Sequence, residues 1–281
     1  MKYPNKSRSM LHRRAISSFF KYLILSICMF AVLAPFFYII YASLQTPAGF
    51  AKGFSLRGLT LQNYIEIVKV SQLFRWYFNT FLVTGIVILG NLILGVPAGY
   101  ALARFSFRGK DLLFTILLGV MIIPIQSYLI PLYVMMSRLN WLNTYLSVTV
   151  PIIVYPFCIF FLRQFYLTIP KDIEDAAKID GLGPFGTLIR IVVPLSKGAL
   201  ATVTILSLLW TWNNLVLPAT MINDPDYYVL TVGLNTLKNV HYSLPTLNMA
   251  GVVYMIAPIM IGFLFFQRYF IESMISTGLK Y

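Results

Sequence analysis

The sequence predicts an all-α membrane protein with six transmembrane helices, and three observations predict it. Of 281 residues, 58% are hydrophobic and only 11% charged, well below the charged fraction of about 25% usual in soluble domains. Six stretches, 22–51, 76–103, 112–137, 139–162, 198–223 and 239–267, contain no Asp, Glu, Lys or Arg. A charge at the bilayer centre costs roughly 2.5 to 3.5 kcal/mol, and each stretch exceeds the 20 or so helical residues that cross a hydrocarbon core. Finally, with the amino terminus inside, 16 of the 22 Lys and Arg fall in inner segments and 6 outside, which is the bias that orients membrane helices. The organisation that follows is a basic inner tail (1–21), a six-helix domain (22–270) with spans near 22–44, 77–101, 112–137, 142–162, 198–220 and 247–267, an inner loop at 163–197 and an inner tail (271–281).

The first span follows a basic start (Lys2, Lys6, Arg8, Arg13, Arg14, Lys21). Its apolar run is about twice as long as a signal-peptide core, so it reads as a retained span. A net charge of +13 suggests nucleic acid or anionic lipid as a partner, and the apolar content decides for lipid. The 2 cysteines, Cys28 and Cys158, each lie in an apolar run, which suits neither a disulfide framework nor a metal site. Before the second span, Asn63, Tyr64, Ile67, Val68 and Phe74 recur at loosely helical spacing, as in a short interfacial helix. The second span carries Gly95-Val-Pro-Ala-Gly99, a small-residue pattern that permits close helix contact, and ends at the basic turn Arg104 to Lys110. Prolines at 35, 97, 124, 131, 151, 156, 218 and 258 lie within or beside the spans. They predict kinked helices, because each frees a backbone carbonyl.

The loop between the fourth and fifth spans holds 4 of the 9 acids, Asp172, Glu174, Asp175 and Asp180. Pro170 suits a first turn, Asp172 and Glu174 complement the positive end of a helix dipole, Glu174 and Lys178 form an i,i+4 pair, and Gly181 ends the helix in a left-handed cap. The expectation is a helix from about 170 to 180 whose face of Ile173, Ala176, Ala177 and Asp180 lets another surface approach closely. Gly183-Pro184 restarts the chain, and Phe185, Leu188, Ile189 and Val192 form a second apolar stripe before Pro194. The whole predicts a rigid elbow along the inner membrane surface.

These residues resemble the EAA loop of ABC-importer permease subunits. Asp175-Ala176-Ala177, Gly181 and Ile191-Val-Val-Pro194 keep the family's spacing, with Asp175 in place of the usual Glu and Val193 in place of Leu. The resemblance runs through nearly the whole chain and is nearest the carbohydrate-uptake subclass typified by the maltose importer, in its shorter, six-helix permease type. Gly99-Tyr-Ala-Leu-Ala-Arg104, Phe107-Arg-Gly109, Ile179-Asp-Gly181, Trp212-Asn213 and Thr277-Gly-Leu-Lys280 support it. It implies a bacterial plasma (inner) membrane subunit with both termini cytoplasmic, in which a cytoplasmic coupling helix lies between the fourth and fifth spans. The implied partners are a second permease in a heterodimer, two ATPase subunits and an extracellular or periplasmic solute-binding protein. ATP and Mg are used by the ATPase subunits, with no cofactor or metal in this chain. Glu174, Asp175, Ala176, Ala177, Gly181, Ile191 and Pro194 would couple to an ATPase, and the tail with Gly278 and Lys280 would reach the ATPase pair.

No phosphate-binding Gly-x-x-x-x-Gly-Lys sequence occurs. Gly181-Leu-Gly183-Pro-Phe-Gly186 matches a dinucleotide pattern by chance, because no strand precedes it. For the solute path, Trp210, Asn213 and Asn214 fall at i, i+3 and i+4, while Trp212 points elsewhere. An aromatic plane with amides suits a sugar, although a Trp at this depth also serves as an interfacial anchor. Gln126, Tyr128, Tyr133, Asn248 and Tyr254 are further candidates for solute contact or for joining helices. A membrane enzyme is disfavoured because no acid lies within a span. The expected cargo is a carbohydrate, an oligosaccharide in the first instance. The alternatives are a polyol or glycerol phosphate, or an ATP-independent secondary transporter or channel, whose usual mid-membrane charges are missing.

Overall fold

A computed structural model describes residues 6–53, 55, 57–240 and 244–278. In chain order the helices are α1 (Lys6–Ser43), α2 (Pro47–Ala51), α3 (Gln62–Val70), α4 (Leu73–Gly90), α5 (Val96–Arg104), α6 (Lys110–Ile122), α7 (Ile125–Arg138), α8 (Tyr145–Thr149), α9 (Pro156–Thr168), α10 (Lys171–Ile179), α11 (Pro184–Thr187), α12 (Val193–Leu195), α13 (Lys197–Trp212), α14 (Val216–Met221), α15 (Leu230–Val240) and α16 (Pro245–Gly278). The described residues form no strand, only an isolated bridge between Gln45 and Leu59.

Among the described residues, four helical stretches are long and apolar enough to cross a membrane: Ser18–Ser43, Leu73–Arg104, Tyr145–Leu167 and Pro245–Gly262. The number rises to six if two bent pairs each count as one span. One pair is α6 with α7, bent by 100°, and the other is Pro184–Leu195 with α13, bent by 82°. Residues 112–137 are therefore not one straight helix, and the reason is Pro124. It holds Ile123 extended at φ −78°, ψ 115°, as the residue before proline prefers. The stretch 198–220 is interrupted too, since α13 stops at Trp212 and α14 starts at Val216.

The chain divides into two compact units. In the described parts of Met1–Lys69 and His241–Tyr254, Asn63 joins α1, α3 and α16. Its amide donates to the carbonyls of Ser43 (2.7 Å) and Gln45 (2.8 Å), and its oxygen accepts from Thr246 (3.3 Å). The short helix expected from the spacing of Asn63, Tyr64, Ile67, Val68 and Phe74 corresponds to α3 as far as Val68, with Asn63 and Ile67 as its buried pair, whereas Phe74 belongs to α4.

In the other unit, two apolar clusters form the core. The first packs Val83 and Val87 of α4 against Leu132 and Met136 of α7, Val148 of α8, and Leu217 and Met221 of α14. The second packs Tyr100 and Ala103 of α5 with Cys158, Leu162 and Tyr166 of α9, Leu188 and Val192, and Val203 of α13. Two π turns, Asn91–Gly95 and Leu188–Val192, each end two residues before a proline, Pro97 and Pro194. The proline ring would strike the carbonyl four residues back, and the wider turn relieves this. Asn91 secures the first π turn: its amide donates to the Val87 carbonyl (3.0 Å) and its oxygen accepts the Tyr155 N–H (2.9 Å) where α8 and α9 part.

The small-residue pattern of α5 is used inside this chain. A Cβ on Gly99 would stand 3.0 Å from the Leu162 Cβ and 3.3 Å from both the Arg163 nitrogen and the Ile159 carbonyl oxygen. Glycine thus lets α5 approach α9 backbone to backbone. Gly99→Val is expected to destabilise the protein by about 1–3 kcal/mol, read as a lower thermal midpoint in detergent. Gly95→Ala, whose methyl would meet nothing nearer than 3.9 Å, should change stability by less than about 0.5 kcal/mol; equal midpoints would refute the close contact.

Candidate functional site

The elbow is built from local rules. Ile169 is extended because Pro170 follows it, so α9 ends and α10 begins with Pro170 as its N-cap. Asp172 and Glu174 lie in the first turn and Lys178 in the last, charges that suit the helix dipole. At the far end the Gly181 N–H donates to the Lys178 carbonyl (3.0 Å) and the Leu182 N–H to the Ala177 carbonyl (2.9 Å). This is a Schellman cap, and it needs Gly181 at φ +84°, where an L side chain costs roughly 1–2 kcal/mol. Gly183 then caps α11, with Pro184 in its first turn. After the second π turn, Ser196 is fully buried and donates to the Val192 carbonyl (2.6 Å) at the bend into α13.

Of the residues expected on the approachable face, Ile173, Ala176 and Asp180 are exposed, but Ala177 turns inward. The buried side of α10 is Glu174 and Ala177. In the second stripe, Leu188 and Val192 are buried, while Phe185 is 73% and Ile189 47% exposed; Ile179, the last residue of α10, is 87% exposed. Ile191 is half-buried and Pro194 exposed. The elbow thus presents uncovered apolar side chains beside exposed charges.

Glu174 pairs with Arg104 rather than with Lys178. Its Oε1 accepts from Arg104 Nε (2.5 Å) and its Oε2 from the Tyr100 hydroxyl (2.9 Å), while Arg104 Nη2 donates to the Ile169 carbonyl (2.7 Å). The Arg104 and Glu174 side chains are only 7% and 6% exposed. Removing one partner of such a pair strands the other charge and typically costs about 3–5 kcal/mol. Asp175, one residue on, faces outward and accepts from Lys178 Nζ (2.7 Å). This hydrogen bond and the ammonium charge behind it hold the Asp175 carboxyl below the usual range, so it stays ionised at neutral pH. A cavity of about 310 Å³ opens beside the pair, lined by Tyr100, Arg104, Lys171, Glu174, Lys178 and Thr187 among others.

The solute-path candidates are spread over α7, the end of α13 and α16. Trp210 is 38% exposed and meets Tyr155 and Phe157 edge-on, at ring separations of 5.1 and 5.4 Å. Asn213 and Asn214 fall past the last turn of α13, so the helical face ends before it reaches them. The Asn213 amide donates to the Leu209 carbonyl (2.8 Å), and the Asn214 side chain accepts the Leu217 N–H (3.3 Å) at the start of α14. Trp212 is core, donating to the Met255 carbonyl (3.2 Å). Gln126, Tyr128 and Tyr133 are exposed on α7. Asn248 is half-buried in the early turns of α16, and Tyr254 donates to the Tyr64 carbonyl (3.4 Å). Gly278 is the last residue of α16, and Lys280 lies outside the described residues. Sequence reasoning missed Tyr155, whose hydroxyl is 3.2 Å from that of Thr211; its position just before Pro156 was the available signal. It also gave Arg104 only as part of a basic turn and of a segment resembling the family, with no partner.

Comparison with known proteins places this architecture. The family described as binding-protein-dependent transport system inner membrane component matches residues 95–276, the elbow included. The chain is similar to the arabinooligosaccharides transport system permease proteins of Halalkalibacterium halodurans, at 37% identity over 79% of this chain and 80% of the relative, and of Bacillus subtilis, at 32% over 79% of each. It is also similar to the sn-glycerol-3-phosphate transport system permease protein of Brucella suis, at 27% over 95% of this chain and 99% of the relative. Among solved structures, a chain of a bacterial ABC transporter involved in the import of the acidic polysaccharide alginate superposes with a TM-score of 0.81 at 23% identity, covering 96% of this chain and 99% of that one, a likeness of fold. The chain therefore belongs to the family of inner membrane components of binding-protein-dependent transport systems, as a membrane-embedded ABC permease.

Proposed function

We propose that this chain is one of two permease subunits in an ATP-driven importer for an oligosaccharide, and that its elbow is the handle gripped by an ATPase subunit. The carrying observation is the elbow itself. A short helix, capped at its C-terminal end, shows exposed Asp175, Ala176 and Ile179 on one side and is anchored by Glu174 on the other. The exposed side offers charge and uncovered apolar surface to a docking protein, and the anchored side passes motion inward. With sixteen of the twenty-two basic residues on the amino-terminal side of the predicted topology, that side is cytoplasmic, and the elbow and both termini lie there. ATP and Mg then act on separate ATPase subunits, and an external binding protein delivers the solute. The six-span count takes α6 with α7 as one broken span. The fifth span is α13, about 24 Å long at 1.5 Å per residue, extended by α14.

The arabinooligosaccharide relatives support an oligosaccharide cargo. The glycerol-phosphate relative, aligned over 95% of this chain, supports a second reading. Trp210 with Tyr155 and Phe157 supplies aromatic surface that suits the apolar face of a sugar ring. In the assembled importer in liposomes, arabino-oligosaccharides are expected to stimulate ATP hydrolysis and enter. Stimulation by glycerol phosphate alone would favour the second reading. Trp210→Ala should reduce sugar uptake about tenfold, in line with the loss of roughly 1.4 kcal/mol, while ATPase binding is kept.

Asp175→Ala is expected to weaken ATPase association and cut uptake at least about tenfold, with membrane insertion intact by protease protection. Gly181→Val should do the same by straining the cap. Wild-type uptake in both variants would count against docking at the elbow.

A further inference from the structure

We infer that Glu174, Arg104 and Tyr100 form a latch through which the elbow drives the Leu73–Arg104 helix directly, so that α10 and the end of α5 move as one body. This rests on the reading of α10 as the docked helix and goes beyond it by assigning where its displacement travels. The three are positioning residues, since none faces outward.

Besides its direct chain link to α9 through Ile169 and Pro170, two routes lead from α10 into the bundle. One follows the chain through α11, the π turn and α12, and turns through 82° at Ser196 before α13 begins. It leaves α10 through Gly181 and Gly183, both exposed, where an added Cβ would meet no atom within 4 Å, so neither position is packed against a neighbour. The other route is the latch. One guanidinium holds both the Glu174 carboxylate (2.5 Å) and the Ile169 carbonyl (2.7 Å), the latter just ahead of α10, while the Tyr100 hydroxyl fixes the second carboxylate oxygen (2.9 Å). Of the acids on or beside α10, Glu174 alone is turned inward; Asp172, Asp175 and Asp180 are exposed. Separating a nearly dry ion pair leaves each charge desolvated, so the pair resists opening far more than a surface bridge does.

The receiving end is braced as well. Arg163 donates to the Leu102 carbonyl (3.2 Å) and lies over the Phe114 ring, 3.9 Å from its centre. Lys110 donates to the Phe105 carbonyl (2.9 Å). Displacement of α10 therefore reaches α5, and with it α9, against which Gly99 packs.

The test uses the complete importer in liposomes with its own ATPase, second permease and binding protein. Glu174→Gln and Arg104→Met are expected to retain the ATPase through purification and to hydrolyse ATP, but to move about tenfold less solute per ATP. Asp175→Ala is expected to lose the ATPase instead. Retention of the ATPase there defeats the docking reading, while the solute-to-ATP ratio of Glu174→Gln still judges the latch. An unchanged ratio in both latch variants overturns it, as does loss of the ATPase from Glu174→Gln but not Arg104→Met, which would make Glu174 a docking residue. Should the variants fail to fold, spin labels at Leu102 and Asp172 with the latch intact decide the matter. Their separation should stay within about 2 Å between nucleotide-free and ATP-trapped states, and a larger change, such as a one-turn slip of about 5 Å, overturns the inference.

Discussion

The pairing of Glu174 with Arg104 is the interaction on which the elbow's geometry depends. At nine residues, α10 is shorter than the roughly 12–15 residues at which an isolated helix becomes even marginal in water. Its C-terminal cap limits fraying there but does not place it. Placement comes from one inward carboxylate held by two side chains of α5, with Ala177 beside it to permit the approach. A neutral side chain of similar size could fill the space, but it would not bind the guanidinium that also holds the Ile169 carbonyl. The ion pair thus fixes position and orientation together.

Around this point the bundle is assembled from broken rather than continuous helices, and proline has different effects at different positions. Pro35 and Pro258 sit within α1 and α16, which continue through them. Pro97 and Pro194 are each preceded by a π turn, Pro124 stands at the 100° bend, and Pro156 restarts a helix after a break. Each break frees backbone groups that need partners, and at the α8–α9 break Asn91 supplies one from a different helix. The apolar clusters on either side of these breaks are then held at angles that straight helices would not give.

The helical class, four of the six membrane-crossing stretches and the limits of α10 were legible in the sequence because each rests on short-range signals: uninterrupted apolar runs, Pro170 before the first turn, Gly181 after the last. The partner of Glu174 was not legible. Lys178 stands one helical turn away and offers a local pairing that looks sufficient, whereas Arg104 is reached only through the packing of α5 on α9. The end of α13 was less legible for a related reason. Trp210, Asn213 and Asn214 share a face only if α13 continues, and two consecutive asparagines, weak helix formers that favour caps, mark where it stops. Trp212 shows the limit of spacing arguments from the other side: its burial depends on α4 and α16, which lie far from it in sequence.

The latch also has a consequence for synthesis. Arg104 precedes Glu174 by seventy residues, so at ordinary translation speeds roughly 4 to 14 seconds separate their appearance. Throughout that interval the guanidinium has no carboxylate, and the hydrocarbon will not accept it bare. It must stay near the lipid headgroups, with its aliphatic stem lying along the apolar surface. The hairpin of the second and third spans is therefore held shallow at one edge until the later segment is made, and the arrival of Glu174 sets the order in which the nascent chain can settle.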